Sequence, residues 1–409
     1  MQSDSSKRAR RARYSSHRRP GIDTISAGRS RVSAVNGAHS LSSPPPYATD
    51  SARDRGAASV VLVAASLDLL GGQGVQAQGL ADHLRADGVR VNLLPVNPAF
   101  PHGLRWLRRI PYLRTLVNQA LYLSSLPGLR RADVVHVFSA AYFSFLLGPA
   151  PAMLAARFLG KRLILNYHSG EAEDHLARWG PLVHPWLRLA DEIIVPSSYL
   201  REVFSRFDYP VQVISNLIDV SRFNYRERTI MGPRFLSIRN LEPHYGVDVI
   251  LHAFARIQLR YPRATLLIGG DGTQRRPLER LAGELGLHGV RFIGSFAPAD
   301  APDIYDDADM LLNASMVDNQ PVSLLEAFAS GLPVVSTSTG DIGNMLQAGR
   351  AGTIVAASDP EAMAVAAMML LDNPARARLL ARSARASLDR FTWPSVRNSW
   401  ISLYEQRQL

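Results

Sequence analysis

Asp318 and Glu326 bracket the run Asp-Asn-Gln-Pro-Val-Ser-Leu-Leu-Glu, which continues into Ala-Phe-Ala-Ser-Gly-Leu-Pro-Val-Val at residues 327–335. Pro321 suits a first helical turn, and Gly331 followed by Pro333 suits a helix exit into a strand. A helix opened in this way leaves backbone amides at its N-terminus, where a phosphate can dock. The two carboxylates can accept hydrogen bonds from hydroxyls. Hydroxyl acceptors beside a phosphate cradle suit a sugar nucleotide. Ser323-Leu-Leu-Glu326 also fits a capping box, which would use the carboxylate on the helix's own amides. Pro321 argues for a helix start one or two residues earlier, which leaves Glu326 to a ligand.

Other residues could join them. Arg239 directly follows the apolar run Arg234–Ile238, at the carboxyl end of an expected strand. Open parallel sheets bind ligands there. A fixed cation at that point can pair with a diphosphate and balance charge on a leaving group; a surface salt bridge is the alternative. Gly71-Gly72-Gln73-Gly74 lies between a strand and a helix, where glycine lets the backbone approach a phosphate closely. It does not meet the nicotinamide fingerprint G-x-G-x-x-G. Gly269-Gly270-Asp271-Gly272 follows another strand, and its bare main chain suits a flat nucleobase. His168, ahead of Ser169-Gly170-Glu171, ends a further strand.

These residues need a scaffold, and the chain supplies an alternating one. Ser59–Ala65, Val89–Leu94, Asp133–Val137, Arg162–Tyr167, Glu192–Pro196 and Val211–Ser215 read as strands with helical patterns between them. A second set follows at Arg234–Ile238, Thr265–Gly269, Val290–Ile293, Asp309–Asn313 and Pro333–Ser336, with helices such as Val247–Leu259 and Pro277–Glu284. Strands alternating with helices predict parallel sheets covered on both faces. The expected division is a basic tail at 1–55, a first α/β domain at 57–218 and a second at 232–390. A last amphipathic helix follows Phe391-Thr392-Trp393.

At 409 residues the chain has room for two ordinary domains, and 46% hydrophobic with 20% charged residues reads as globular. The net charge of +11 suggests nucleic acid until it is divided along the chain. Residues 1–55 carry 11 Lys and Arg against 4 Asp and Glu, a net +7, which leaves +4 for the other 354 residues. That tail is rich in Ser, Arg, Gly and Pro without an apolar period, as disordered segments are. There is no cysteine, so disulfide and thiolate chemistry are excluded. No secretory signal is evident. Val134–Ala156 holds no charged residue over 23 positions, but its His, Gly and Pro residues favour a buried strand, a turn and a helix over a membrane span. Residues 102–131 carry six arginines, no acid, and Trp, Tyr, Leu and Ile, a composition suited to an anionic membrane surface. Nucleic acid is not expected, since no stacking platform accompanies the charge.

Taken in order, Gly71–Gly74, His168, Arg239, Gly270–Gly272 and the 318–335 block resemble the retaining glycosyltransferases of family 4 over about residues 57–408. Asn216, Ala308-Asp309 and the Phe391-Thr392-Trp393 helix belong to the same likeness. The resemblance implies the GT-B fold, two Rossmann-like doubly wound domains facing a cleft, with the last helix crossing back to the first domain. It implies a nucleoside diphosphate sugar as donor, a glycan or lipid-linked acceptor, no cofactor and no metal, in the cytoplasm or on the inner leaflet. Glu326 would hold the ribose hydroxyls, and Asp318 would contact the donor sugar. Arg239 would hold the diphosphate, with amides near Val322–Ser323 and Gly72 assisting and Asn319 nearby. Gly270 and Asp271 would line the base site, and His168 would approach the sugar. Two departures stand out. Asp318 replaces the usual Glu and is one methylene shorter, while Tyr245, before Gly246-Val247, stands where the family usually has Lys. Either another group compensates for that missing cation, or the enzyme is slow or inactive. A sugar-nucleotide 2-epimerase and a non-catalytic sugar-nucleotide-binding protein are the alternatives on the same architecture.

Overall fold

The computed structural model describes residues 58–405, apart from 67–71, 104–105, 107–109, 111 and 140. The basic tail expected at 1–55 lies outside the described residues. The rest forms two six-stranded sheets. The first contains β1 (Ser59–Ala64), β2 (Arg90–Pro95), β3 (Val134–Ser139), β4 (Arg162–Tyr167), β5 (Glu192–Val195) and β6 (Gln212–Val213), in the order β2-β1-β3-β4-β5-β6. The second contains β7 (Arg234–Ile238), β8 (Thr265–Gly269), β9 (Val290–Gly294), β10 (Met310–Asn313), β11 (Val334–Ser336) and β12 (Thr353–Ile354), in the order β12-β11-β10-β7-β8-β9. Every neighbouring pair in both sheets is parallel.

Strand alternation explains the layers. Val61 and Val63 of β1 enter one apolar cluster, whereas Val60, Leu62 and Ala64 enter the cluster on the opposite face. Phe235 and Leu236 of β7 divide in the same way. Successive side chains on a strand point to opposite faces, so a sheet covered by helices on both sides needs apolar residues at most positions. This is why β1, β3 and β4 are mostly apolar and are buried throughout. The chain therefore has the two Rossmann-like domains of the GT-B architecture.

The final helix, Trp393–Glu405, buries Val396, Trp400, Leu403 and Tyr404 in the same cluster as Val60 and Leu62 of the first sheet. That i, i+4, i+7, i+8 spacing is one face of a helix. The Tyr404 hydroxyl lies 2.7 Å from His136 Nδ1 on β3.

Several local expectations need correction. The first helix begins at Gly72, so Gly72 and Gly74 lie in its opening turn and not ahead of it. A short helix, Tyr142–Leu147, follows β3, and Pro149 starts the next helix where a turn was expected. That helix uses Pro at its first position, where a missing N–H costs nothing. β12 was not anticipated, and β6 spans two residues rather than five.

Candidate active site

The carboxyl ends of both sheets open onto one cavity of about 780 Å³. Ala65 after β1, His168 after β4, Arg239 after β7 and Gly270 after β8 all line it. Two helix N-termini meet there. Gly72 opens its helix opposite Val322, close enough that a Cβ on Gly72 would lie 3.7 Å from Val322 Cγ2. The Val322–Ala329 helix carries no side-chain cap at Pro321, and its Leu324 amide bonds the Pro321 carbonyl at 3.2 Å. Among the described residues the Val322 and Ser323 amides ahead of it have no protein partner. The capping box at Ser323 is thus not formed.

Glu326 is instead held by a residue the sequence did not single out. Tyr305, fully buried on the Ala301–Asp306 helix, donates its hydroxyl to Glu326 Oε2 at 2.8 Å and lies 3.1 Å from the Ser323 carbonyl. Burial pushes the Glu326 carboxyl up to about 7, against the Tyr305 hydrogen bond and the Arg222 charge, which both lower it. Burial also raises the Tyr305 phenol far above its ordinary value, so it remains a proton donor.

Arg239 and Asp318 meet directly, with Nη2 donating to Oδ2 at 2.5 Å and both side chains about nine-tenths buried. Asp318 Oδ1 also accepts from the Asn319 amide at 2.9 Å. The Arg239 guanidinium carbon lies 4.1 Å above the centre of the Tyr245 ring. The loop that carries Arg239 rests on the glycine loop after β8. A Cβ on Gly270, at φ 128°, would come within 1.9 Å of the Arg239 carbonyl oxygen, so only glycine fits. Arg239 and Leu241 donate their amides to the Gly269 and Asp271 carbonyls, each at 3.0 Å. The glycine-rich loop therefore has a structural reason to be bare, apart from any nucleobase.

His168 lies on the cavity wall with its ring stacked on Phe138, centroids 5.3 Å apart. Burial lowers its pKa to about 4, so the imidazole is neutral at physiological pH. Its carbonyl sits 3.4 Å from Asn319 Nδ2, and Asn319 Oδ1 accepts from Ser197 Oγ at 2.5 Å. Gln320 reaches further: its Oε1 accepts from the Asn216 amide at 2.8 Å, and its Nε2 donates to the Pro196 carbonyl at 3.0 Å. Asn319 and Gln320 thus tie the loop between the carboxylates to the first domain. A Cβ on Gly170 would meet the Asp318 backbone at 2.5 Å, so the domains touch there without room for a side chain.

Of the residues singled out from sequence, Arg239, Asp318, Glu326, His168, Gly72, Gly270, Asn319, Val322 and Ser323 line one cavity. Asp271 does not. Its exposed carboxylate accepts from the Gly272 amide at 2.8 Å and belongs to a separate surface hollow with Arg275 and Arg276. Three buried polar atoms in the cavity-lining residues have no partner: Arg239 Nε, Ser323 Oγ and His168 Nε2. Buried polar groups are rarely left so.

Residues 70–222 match the family described as Glycosyltransferase Family 4, and residues 232–373 match Glycosyl transferases group 1. The chain is 30% identical over 292 residues to a glycogen synthase of Mycobacterium tuberculosis, covering 67% of this chain and 69% of that protein. It is 26% identical over 356 residues to a phosphatidyl-myo-inositol mannosyltransferase of Mycobacterium leprae, covering 83% and 94%. Among solved structures, a sucrose-phosphate synthase from Thermosynechococcus elongatus superposes with a TM-score of 0.68 at 18% identity, covering 85% of this chain and 98% of that one.

Proposed function

The chain belongs to glycosyltransferase family 4 and is a GT-B transferase, and from that premise we propose that it moves a hexosyl group from a nucleoside diphosphate sugar to an acceptor hydroxyl, with retained anomeric configuration and no metal. The observation that carries this reading is that Arg239, Asp318, Glu326, His168 and the start of the Val322–Ala329 helix line one cavity. Arg239 Nε, Ser323 Oγ and His168 Nε2 lack partners, and the Val322 and Ser323 amides are open. In this reading the diphosphate lies between those amides and the Arg239 guanidinium, while the Glu326 carboxylate accepts the two ribose hydroxyls. Negative charge develops on the departing diphosphate, so donors already fixed around it lower the barrier. The names of the relatives, glycogen synthase and mannosyltransferase, describe transfer of hexoses. Asp318 then exchanges partners, giving up part of its hold on Arg239 to the phosphate and meeting the sugar hydroxyls.

A thermal-shift screen against uridine, guanosine and adenosine diphosphate sugars tests the donor, and wild-type protein should be stabilised by one of them. Product analysis then separates the alternatives. Glycoside formed only with an acceptor fits transfer. Free nucleotide with epimerised sugar from donor alone fits a 2-epimerase. Binding without turnover with any acceptor fits a non-catalytic binding protein. No stabilisation by any of the three donors would overturn the proposal.

The acceptor side carries a finer expectation. Among the described residues no helix is long and apolar enough to cross a membrane. On the Leu113–Ser125 helix and beside it, however, Tyr112 is 87% and Leu116 68% exposed, with Arg114, Arg130 and Arg131 also exposed. We propose that residues 102–131 rest on an anionic bilayer that presents a lipid-linked acceptor. Co-sedimentation with phosphatidylglycerol vesicles should exceed that with phosphatidylcholine vesicles and should fall as salt rises. Binding indifferent to both would remove this part of the reading.

A further inference from the structure

The cavity holds a single Arg or Lys among its described lining residues, Arg239, and that cation is already half engaged. Its Nη2 is given to Asp318, and its Nε is buried without a partner. Among the described residues Nη1 also lacks a protein partner. Two in-plane donors are therefore unused, on different edges of the guanidinium, and of the two only Nη1 is not buried. A guanidinium held only by one carboxylate could still rotate about that bond. Contact with one of its faces removes that freedom, and Tyr245 makes it, with the guanidinium carbon 4.1 Å from the ring centre.

The tyrosine is itself fixed. Its amide bonds the Glu242 carbonyl at 3.0 Å, and the neighbouring His244 carbonyl accepts from the Met316 amide at 2.8 Å. The loop that carries Tyr245 is thereby tied to the loop that carries Asp318, two residues beyond Met316. Ring and carboxylate are set by one piece of backbone. Burial raises the Tyr245 phenol from its ordinary value, so the ring stays neutral and adds no charge beside a phosphate.

We infer that Tyr245 is a positioning residue for the donor diphosphate: its ring face fixes the plane of the Arg239 guanidinium, which holds the unused Nη1 donor for the departing phosphate. The inference rests on the donor site proposed above and goes beyond it, since it assigns to an aromatic ring the alignment of the cavity's cation. The work is done by the ring and not by the hydroxyl. A cation held over an aromatic face is stabilised by the ring quadrupole, most strongly where water is excluded.

The test compares Tyr245→Phe with Tyr245→Leu, using calorimetric binding of uridine, guanosine and adenosine diphosphates and the rate of donor cleavage. Tyr245→Leu should weaken binding of the preferred diphosphate by roughly 5- to 30-fold. It should lower kcat more than it raises KM, because alignment matters most as charge reaches the leaving group. Tyr245→Phe should restore both. If the Leu variant does not fold, Tyr245→Met, an apolar chain without a ring, takes its place. A Leu or Met variant that binds and cleaves as wild type does would overturn the inference. So would a Phe variant as impaired as the Leu variant, since that would assign the effect to the hydroxyl. A wild type that binds none of the three diphosphates overturns the donor reading itself, and this inference with it.

Discussion

Glu326→Gln is expected to unfold at a higher temperature than wild type above pH 7 while binding a nucleoside diphosphate sugar at least about 100-fold more weakly. Both halves follow from one desolvated carboxyl. Burial lifts it from the ordinary 4.5 to about 7, so the empty site penalises the carboxylate by at most roughly 3 kcal/mol above pH 7. A group raised in this way stabilises the fold fully below about pH 4.5, and that contribution is lost as pH climbs through 7. Glutamine removes the titration. Its amide oxygen can still accept from the Tyr305 hydroxyl, so the hydrogen bond at 2.8 Å has a substitute. Near pH 8 the gain should approach a few degrees, about 4 °C for a chain of this size. At pH 5 the two proteins should unfold together.

Binding moves the other way. A carboxylate accepts two ribose hydroxyls strongly, and hydrogen bonds to a charged group contribute about 1.5–3 kcal/mol each. The wild-type protein should lose donor affinity about tenfold per pH unit below 7, because protonation of Glu326 competes with the ribose. The Gln variant should show no such slope. Calorimetry from pH 5 to pH 8.5 together with thermal melts checks both. A wild-type affinity that is flat across that range, or a Gln variant less stable than wild type at pH 8, would show that the carboxyl is not a ligand-binding group held out of its preferred state.

The sheets were legible because their strands are specified locally. Arg162–Tyr167, Arg234–Ile238 and Thr265–Gly269 end where the apolar and β-branched runs end. A strand buried on both faces is apolar at most positions, and that pattern is visible without a partner. Thr353–Ile354 was missed because two half-buried residues at a sheet edge make no run. The carboxylates, the arginine and the histidine were legible from their places at strand and helix ends, where such groups find ligands. Their mutual arrangement was not. Tyr305 is 21 residues before Glu326, on a helix whose sequence carries no sign that its tyrosine meets that carboxylate. The Arg239–Asp318 pair joins residues 79 apart. Asp271 was expected at the base site from its place in the glycine loop, and the structure sets its carboxylate outside the cavity. Only packing between loops decides such cases, and packing has no period to read.

Arg239→Ala should reduce donor cleavage and transfer by roughly 100- to 1,000-fold, the loss typical when a preorganised donor to a developing anion is removed. The substitution has a second effect that must be separated from the first. Asp318 is about nine-tenths buried and would be left with only the Asn319 amide at Oδ1 to meet it. Breaking a buried pair on one side typically costs about 3–5 kcal/mol, so Arg239→Ala should also melt earlier. Adding Asp318→Asn removes the stranded carboxyl. The double variant should therefore recover most of the lost stability and none of the lost activity. Measured against Asp318→Asn alone, which takes out that residue's own loss at the sugar, the pattern separates a cation that acts on the leaving group from one that only neutralises a loop. If activity returned along with stability, Arg239 would be a structural partner of Asp318, and the diphosphate would have to be held by the helix amides at Val322 and Ser323 without it.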